Sequence, residues 1–265
     1  MTELRRSYAM SHLPYSYELK SDFIKPFVVG VDDRTGDNIS TRKQFSETRG
    51  HYWLWKNAKF NDDEFVSVQQ YRRCFWFPPL MKKGGRFDRF IDQANKNLGQ
   101  QILHMTRAEY IEYARHVDEA DKNPLNYWIR DLDLVVSRAI EYPRTIAQIY
   151  GEHHSSQDWE IFAHVCRKYG LDDGRHNWLT GHLMFIMRPT LFSEYMDLWW
   201  RVARDVAELL CPNDDPYQHR QIGYLTERFM SAWLIRIRTE RPTLRIQTIP
   251  IAEGLFQFDR QPGMM

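Results

Sequence analysis

The chain has 265 residues, of which 43% are hydrophobic, so it is long enough to enclose a sizeable core. Lysine and arginine total 36 against 35 for aspartate and glutamate, which argues against a nucleic-acid-binding protein with its usual basic excess. Neither a signal peptide nor an apolar run of the ~18 residues needed to span a membrane is visible. The widely spaced Cys74, Cys166 and Cys211 predict neither a disulfide framework nor a zinc site. We therefore expect a cytoplasmic protein.

Strand-like and helix-like patterns alternate along the chain without repeats or a clear linker. This alternation predicts one α/β domain over residues 1–265, with a mostly parallel central sheet flanked by helices. A mobile loop or insertion is expected around 78–128. The predicted strands are 7–10, 25–31, a strand from Phe65 to the arginine pair, 131–140, 182–187 and 244–251. The predicted helices are 46–57, 106–120, 145–150, 157–169, 191–210 and 221–237, and Thr106 is the predicted cap of the second one.

The stretch FVSVQQYRRCFWF, residues 65–77, indicates an anion-binding site. It starts as a buried strand and reaches the adjacent Arg72 and Arg73. Ligands of open α/β sheets bind beyond the carboxyl ends of the strands, and a guanidinium group offers a planar donor fork that matches phosphate or carboxylate. Because neighbours in an extended strand point to opposite faces, both arginines reach one anion only if the strand ends at Tyr71.

Two other polar motifs carry weak signals, and no P-loop, GxGxxG, GxSxG or HExxH is present. Asp131 and Asp133 form a DxD, a pattern that can hold a divalent cation on a diphosphate. Because this pair precedes a predicted strand instead of following one, we interpret it as a strand-entry turn. His153 and His154 fit a loop between helices, with a ligand-contacting loop as the second interpretation.

Glu227 and Arg228 lie near the start of a predicted helix, directly before Phe229 and Met230. They are either a solvated pair or a carboxylate held in a cleft. Apolar surroundings raise the pKa of a carboxyl group, so the second interpretation would suit acid–base chemistry.

Four segments, taken together and in order, carry a resemblance to one family. They are DDRTGDNIS at 32–40, ETRGHYWLWKN at 47–57, FVSVQQYRRCF at 65–75 and RQIGYLTERFMSAWL at 220–234. This ordered set resembles the bacterial glycosyltransferase-like domain of capsule and O-antigen gene clusters, long regarded as a domain of unknown function. The resemblance implies a GT-A-like, Rossmann-like α/β fold.

The resemblance also implies an activity and its partners. A sugar would pass from a nucleotide-sugar donor to a growing surface polysaccharide, with UDP-galactofuranose as the leading donor. The acceptor would be a glycan or lipid-linked glycan. The protein would work in the cytoplasm or at the inner face of the membrane, in peripheral association with polysaccharide assembly proteins. No cofactor is expected beyond the donor substrate.

The expected mechanism is inverting and metal-independent. In the usual GT-A fold metal-binding acids follow a central strand, whereas Arg72 and Arg73 stand at that place here. We expect arginine charge to replace Mn²⁺ or Mg²⁺, and Glu227 to act as the base, with Asp37 second. A salt bridge from Glu227 to Arg72 or Arg228 is the competing role. The predicted binding residues are His12, Asp37, Asn38, Tyr52, Lys56, Tyr71 and Arg228, with Trp53 as a further wall candidate.

Three positions depart from the family pattern. Leu13 replaces a lysine, Gln70 a histidine and Leu183 an asparagine, and each change removes a side chain that the pattern carries in the expected cleft. The main alternative is therefore a non-catalytic nucleotide-sugar or sugar-binding domain that partners a polysaccharide synthase. An arginine-clamped phosphotransferase or phosphatase is a third interpretation, although no nucleophile or metal set supports it.

Overall fold

A computed structural model describes residues 2–12, 14–15, 17–96, 101–180, 182–211, 215 and 218–256. In this part of the chain nine strands form one curled sheet, and a further two-stranded ribbon lies beside it. The strands of the large sheet are β1 Ser7–Ser11, β2 Ile24–Val28, β3 Val66–Gln70, β4 Arg73–Phe75, β5 Ile102–Thr106, β6 Leu134–Ser137, β9 Phe185–Met187, β10 Ile246–Ile249 and β11 Ile251–Leu255; the ribbon is β7 Ile140–Glu141 with β8 Trp178–Leu179.

Helices follow most of the amphipathic segments. The predicted threonine cap at residue 106 is confirmed: Thr106 Oγ1 accepts from the Glu109 amide at 3.3 Å, and the Glu109 carboxylate accepts from the Thr106 amide at 2.9 Å. The region around 78–128 contains three helices and β5. The helices are α1 Thr48–Asn57, α2 Asp88–Lys96, α3 Arg107–Glu119, α4 Asn123–Ile129, α5 Ile146–Gly151, α6 Ser156–Lys168, α7 Pro189–Leu209 and α8 Gln221–Glu240.

The sheet is mixed, so the prediction of a mostly parallel sheet is wrong. β1–β2, β1–β3, β6–β10 and β5–β11 pair in parallel, whereas β3–β4, β3–β9, β6–β9 and β4–β11 pair antiparallel. β4 follows β3 after the two-residue turn Tyr71–Arg72, which is too short for the crossover that a parallel pair requires. The predicted last strand, 244–251, is two strands that separate at Pro250 and join different neighbours.

Both faces of the sheet are buried. In β6, Leu134 and Val136 enter the core beneath α7 and α8, while Val135 enters the core beneath α3. Strands that are covered on both sides are hydrophobic at nearly every position, which explains why these segments lack a clear alternation of polar and apolar residues.

The strand directions create one edge where a site can form. β1 runs parallel to β3, and β6 lies two antiparallel steps from β3, so β1, β3, β6 and β10 all end at the same side. β9 runs the opposite way and begins there. The segments that follow or precede these strand ends therefore meet at this edge.

Asp118 anchors the segment before β2 to the end of α3. Its buried carboxylate accepts hydrogen bonds from the backbone amides of Lys20, Ser21 and Ile24 at 2.9, 2.7 and 3.0 Å, and from the Ser21 hydroxyl at 2.8 Å. Removal of the carboxylate would leave the buried Ile24 amide and the part-buried Lys20 and Ser21 donors without this acceptor.

We predict that Asp118→Ala lowers the free energy of unfolding by about 2–4 kcal/mol, because the buried Ile24 amide and the part-buried Lys20 and Ser21 amides lose their partner at once. Urea denaturation followed by circular dichroism measures the change. The exposed Asp92→Ala on α2 is the control and should stay within about 0.5 kcal/mol. Equal effects of the two substitutions would contradict the anchoring role.

Candidate active site

Side chains from five segments converge at the edge described above. We call this group the arginine cleft and define it by His12, Glu47, Arg72, Arg73, His182, Arg220, Glu227 and Arg228. The charges of Arg220, Arg72, Arg73 and Glu227 all act on the Glu47 carboxyl, and those of Arg73, Arg72 and Arg228 act on His182. The structure thus brings together five of the residues predicted for the site (His12, Arg72, Arg73, Glu227 and Arg228) with three that were not predicted (Glu47, His182 and Arg220).

A glycine lets α8 approach the start of α1. A Cβ atom on Gly223 would lie 2.6 Å from the Cβ of Ser46, closer than real contacts allow. Ser46 itself has a positive φ of 51°. Its Oγ accepts from Arg220 Nε at 3.2 Å and lies 3.3 Å from His12 Nε2, so this contact joins α8 to the end of β1.

Glu47 lies at the centre of the cleft. Its Oε1 is 3.4 Å from His12 Nε2, and its Oε2 accepts from Gln70 Nε2 at 3.1 Å. The side chain is only 15% exposed. Burial, helped by the negative charge of Glu227, raises the pKa of Glu47 to about 7, although Arg220, Arg72 and Arg73 oppose the shift.

The arginine pair is arranged around a turn. β3 ends at Gln70, Tyr71 and Arg72 form the turn, and Arg73 begins β4. Arg73 Nε donates to Glu253 Oε1 at 2.6 Å and its Nη1 donates to Gln70 Oε1 at 2.7 Å. Arg73 is thus paired with the Glu253 carboxylate.

Two histidines in the cleft are neutral at pH 7. Burial, followed by the charges of Arg220 and Arg49, lowers the pKa of His12 to about 4. Burial and the charges of Arg73, Arg72 and Arg228 hold the pKa of His182 well below its ordinary value.

The backbone before β9 is strained. His182 and Leu183 have φ values of 73° and 53°, a region that residues other than glycine, asparagine and aspartate rarely adopt. An asparagine, which the resemblance implies at position 183, would fit this conformation better than leucine. Leu13, another departure from the pattern, lies outside the described residues.

Glu227 and Arg228 form the salt bridge considered as the competing role for Glu227. Arg228 Nη1 donates to Glu227 Oε2 at 3.0 Å and to the Tyr224 carbonyl at 2.6 Å. The guanidinium lies 5.5 Å from the centre of the Tyr150 ring. His154 stacks on Tyr224 with ring centres 4.4 Å apart, so the loop at 153–154 borders this side of the cleft.

Four other predicted residues form a second group, in which Tyr52 and Lys56 lie on α1 and Asp37 and Asn38 lie in the loop that precedes it. Tyr52 donates to Asp37 Oδ1 at 3.1 Å, Asn38 Nδ2 donates to the Gly36 carbonyl at 2.8 Å, and the Lys56 ammonium lies 3.4 Å from the centre of the Trp55 ring. Trp53 Nε1 holds the same loop by donating to the Thr35 carbonyl at 2.8 Å. Arg49 links this group to the cleft, because it donates to the carbonyls of Ser40 and Ser46.

The DxD pair is the strand-entry turn that its position predicted. Asp133 Oδ2 accepts from the Arg245 amide at 2.9 Å, and its carboxylate lies 3.9 Å from Arg188 Nε.

Within the described ranges, no three or more His, Cys, Asp and Glu side chains are grouped so that they could hold a metal ion. The helices of the same ranges include none that is long and apolar enough to cross a membrane.

Comparison with known proteins places the fold among glycosyltransferase structures. The solved apo structure of the bifunctional glycosyltransferase WbbM matches with a TM-score of 0.73 at 20% identity, covering 95% of this chain and 45% of that chain. The chain thus spans less than half the length of that protein, and an identity this low shows the fold alone. The expectation of a glycosyltransferase-like α/β fold is confirmed.

The family follows from the sequence itself. Residues 21–238 match the family described as "Domain of unknown function (DUF4422)", and the chain belongs to this family. No curated protein matches.

Sequence reasoning missed several members of the cleft. The sequence did not indicate a functional role for Glu47 or Glu253, and Arg220 and His182 were not predicted as site residues. Glu47 opens the segment ETRGHYWLWKN directly before α1, and this position was the available signal. Glu253 lies 180 residues after Arg73 in the sequence, so no local sequence pattern connects the two residues.

We predict that Gly223→Ala lowers the free energy of unfolding by about 1–3 kcal/mol, because the new methyl group forces α8 away from Ser46. Thermal unfolding measures the change. Gly151→Ala is the matched control, since its added Cβ meets nothing within 4 Å. A Gly223→Ala protein as stable as wild type would show that the close approach is not needed.

Proposed function

We propose that the protein is a glycosyltransferase that takes a sugar from a nucleotide-sugar donor. The observation that carries this proposal is the arginine cleft, in which four guanidinium groups gather at the carboxyl edge of β1 and β3. Departure of a nucleoside diphosphate leaves negative charge on its oxygens, and fixed positive groups in a partly dry cleft stabilise that charge. The similarity in fold to a solved glycosyltransferase supports the same conclusion.

Arg72 and Arg73 are the proposed diphosphate ligands. The contacts to Glu253 and Gln70 use two nitrogen atoms of Arg73 and fix the plane of its guanidinium group. A guanidinium group has five N–H donors, so further N–H groups of Arg73 can bind a phosphate oxygen. Each charge-assisted hydrogen bond to a phosphate contributes about 1.5–3 kcal/mol. Arginine charge would therefore serve in place of a metal ion, and Tyr71, Arg228 and His12 would border the bound nucleotide.

Glu47 is the proposed base for the acceptor hydroxyl in an inverting transfer. A base works best when its pKa lies near the operating pH, and burial raises the pKa of Glu47 to about 7. Glu227, the base predicted from the sequence, is paired with Arg228 at 3.0 Å and its charge raises the pKa of Glu47. We therefore assign proton transfer to Glu47 and the tuning of its pKa to Glu227.

The proposed substrates follow the family resemblance. UDP-galactofuranose is the first donor to test, and the acceptor would be a glycan or lipid-linked glycan of a capsule or O-antigen. The protein would act at the inner face of the membrane beside polysaccharide assembly proteins. Asp37, Asn38, Tyr52 and Lys56 would contribute to the donor side through the loop held on α1.

We predict that the protein releases UDP slowly from UDP-galactofuranose or another UDP-sugar and that EDTA leaves this hydrolysis intact. Arg72→Ala should abolish it, because the leaving diphosphate loses a neutralising charge. Arg5→Ala, in an exposed ion pair with Glu3 and Asp63, is the control. Loss of turnover in EDTA with recovery in Mn²⁺ would contradict metal independence. Binding of UDP-sugars without turnover would favour the non-catalytic binding domain.

We predict that the activity rises with pH through about 7, because Glu47 must lose its proton to act as a base. Glu47→Gln should lower kcat by about 10²–10⁴-fold. Glu227→Gln should move the acidic limb of the pH profile to lower pH, since the charge that raises the pKa of Glu47 is removed. If Glu227→Gln abolishes turnover and Glu47→Gln retains it, Glu227 is the base.

A further inference from the structure

A polar groove of about 910 Å³ lies beside the arginine cleft. Ligand sites commonly enclose about 300–1,000 Å³, so the groove has room for a short oligosaccharide. Its wall alternates hydrogen-bonding side chains with small and branched apolar ones. The lining residues are Gln101, Ile102, His104, Arg138, Ala139, Ile140, Glu141, Arg238, Gln247 and Thr248.

The groove opens at the same edge of the sheet as the cleft. Arg138 and Ala139 directly follow β6, and Thr248 lies near the end of β10. Because β6 and β10 run in the same direction as β3, these residues share the edge with the Tyr71–Arg72 turn.

A row of side chains in polar contact connects the groove to the cleft. Gln70, Arg73, Glu253 and His104 are register partners across β3, β4, β11 and β5. Glu253 Oε1 accepts from Arg73 at 2.6 Å, and its Oε2 lies 3.4 Å from His104 Nδ1. Gln70 continues the row to Glu47 at 3.1 Å. His104 lines the groove, so the row runs from the groove wall to the centre of the cleft.

A second connection lies on the other wall of the groove. Ile140 and Glu141 line the groove, and Tyr142 follows directly. Burial raises the pKa of Tyr142, and the charges of Arg228 and Glu227 act on the same hydroxyl. The groove therefore borders the cleft both at its Arg73 side and at its Glu227 side.

We propose that this groove binds the acceptor saccharide, so that one sugar hydroxyl enters the cleft beside Glu47; this assignment rests on the proposed glycosyl transfer. The side chains of Gln101, Gln247 and Thr248 offer both donors and acceptors, as sugar hydroxyls do. Ile102 and Ile140 offer apolar surface to the C–H faces of a sugar ring. Arg138 and Arg238 outnumber Glu141, which also suits an acceptor that carries a phosphate.

A second groove of similar size provides a matched control. It encloses about 880 Å³ beside α3 and is lined by Lys20, Arg86, Ala108 and Glu112 among others. Ion pairs cross it, including Arg86 with Glu112 and Lys20 with Glu119. It has none of the row residues in its wall.

The test uses octyl hexopyranosides of glucose, galactose and mannose as probes, with saturation-transfer NMR as the readout. Wild type should bind at least one probe at millimolar concentration. Ala139→Trp should fill the groove and lower that affinity by about tenfold or more, whereas Ala108→Trp should not change it. Because a tryptophan at 139 could disturb folding, the double variant Gln247→Ala with Arg238→Ala repeats the test. UDP affinity, measured by calorimetry, should be unchanged in all variants.

The outcomes separate this inference from the proposed function. Failure of wild type to bind any probe, or wild-type affinity in Ala139→Trp and in the double variant, overturns the groove assignment. Loss of UDP binding in the double variant overturns it as well, since the two sites would then not be distinct. If probe binding depends on the groove but the protein neither binds nor cleaves UDP-sugars, the groove assignment is supported and the proposed function is contradicted.

Discussion

The side-chain amide of Gln70 holds the two parts of the candidate site together. Its NH₂ group donates to Glu47 and its oxygen accepts from Arg73. A carboxylate can only accept and a guanidinium can only donate, so the amide has one orientation that satisfies both partners. The positions of the Glu47 carboxylate and the Arg73 guanidinium group therefore depend on each other. The resemblance implies a histidine at position 70, and Gln70 forms both of these contacts with its amide group.

Glu47 carries an energetic cost that a purely structural residue would not need. Its folded-state pKa is about 7 whereas the ordinary value is 4.5, so ionisation of the folded protein is disfavoured between these values. Each unit of such a shift corresponds to about 1.4 kcal/mol. The strained backbone at His182 and Leu183 lies in the same cleft. Strain and desolvation that gather at one location are typical of binding and catalytic sites.

Local patterns predicted the elements better than their arrangement. The Thr106 cap, the strand before Arg72 and the helix before Pro212 were readable because each depends on neighbours within a few residues. The antiparallel placement of β4 was not readable, since it depends on a partner strand near residue 253. The anion site was recognised from Arg72 and Arg73, but Glu47, His182 and Arg220 reach it only through tertiary packing. A site that is assembled from distant segments has no recognisable motif within any one segment.

The segment 246–255 has a consequence for the order of events during synthesis. Its first half pairs with β6 and its second half lies between β4 and β5, so it joins both wings of the sheet. Glu253 therefore leaves the ribosome after every residue of the cleft has been made. Until then Arg73 lacks its carboxylate partner and β4 and β5 have no strand between them. Contacts between residues so far apart in sequence form slowly. The nascent chain would thus complete its helices first and its anion site last, with exposed strand edges that chaperones would have to cover.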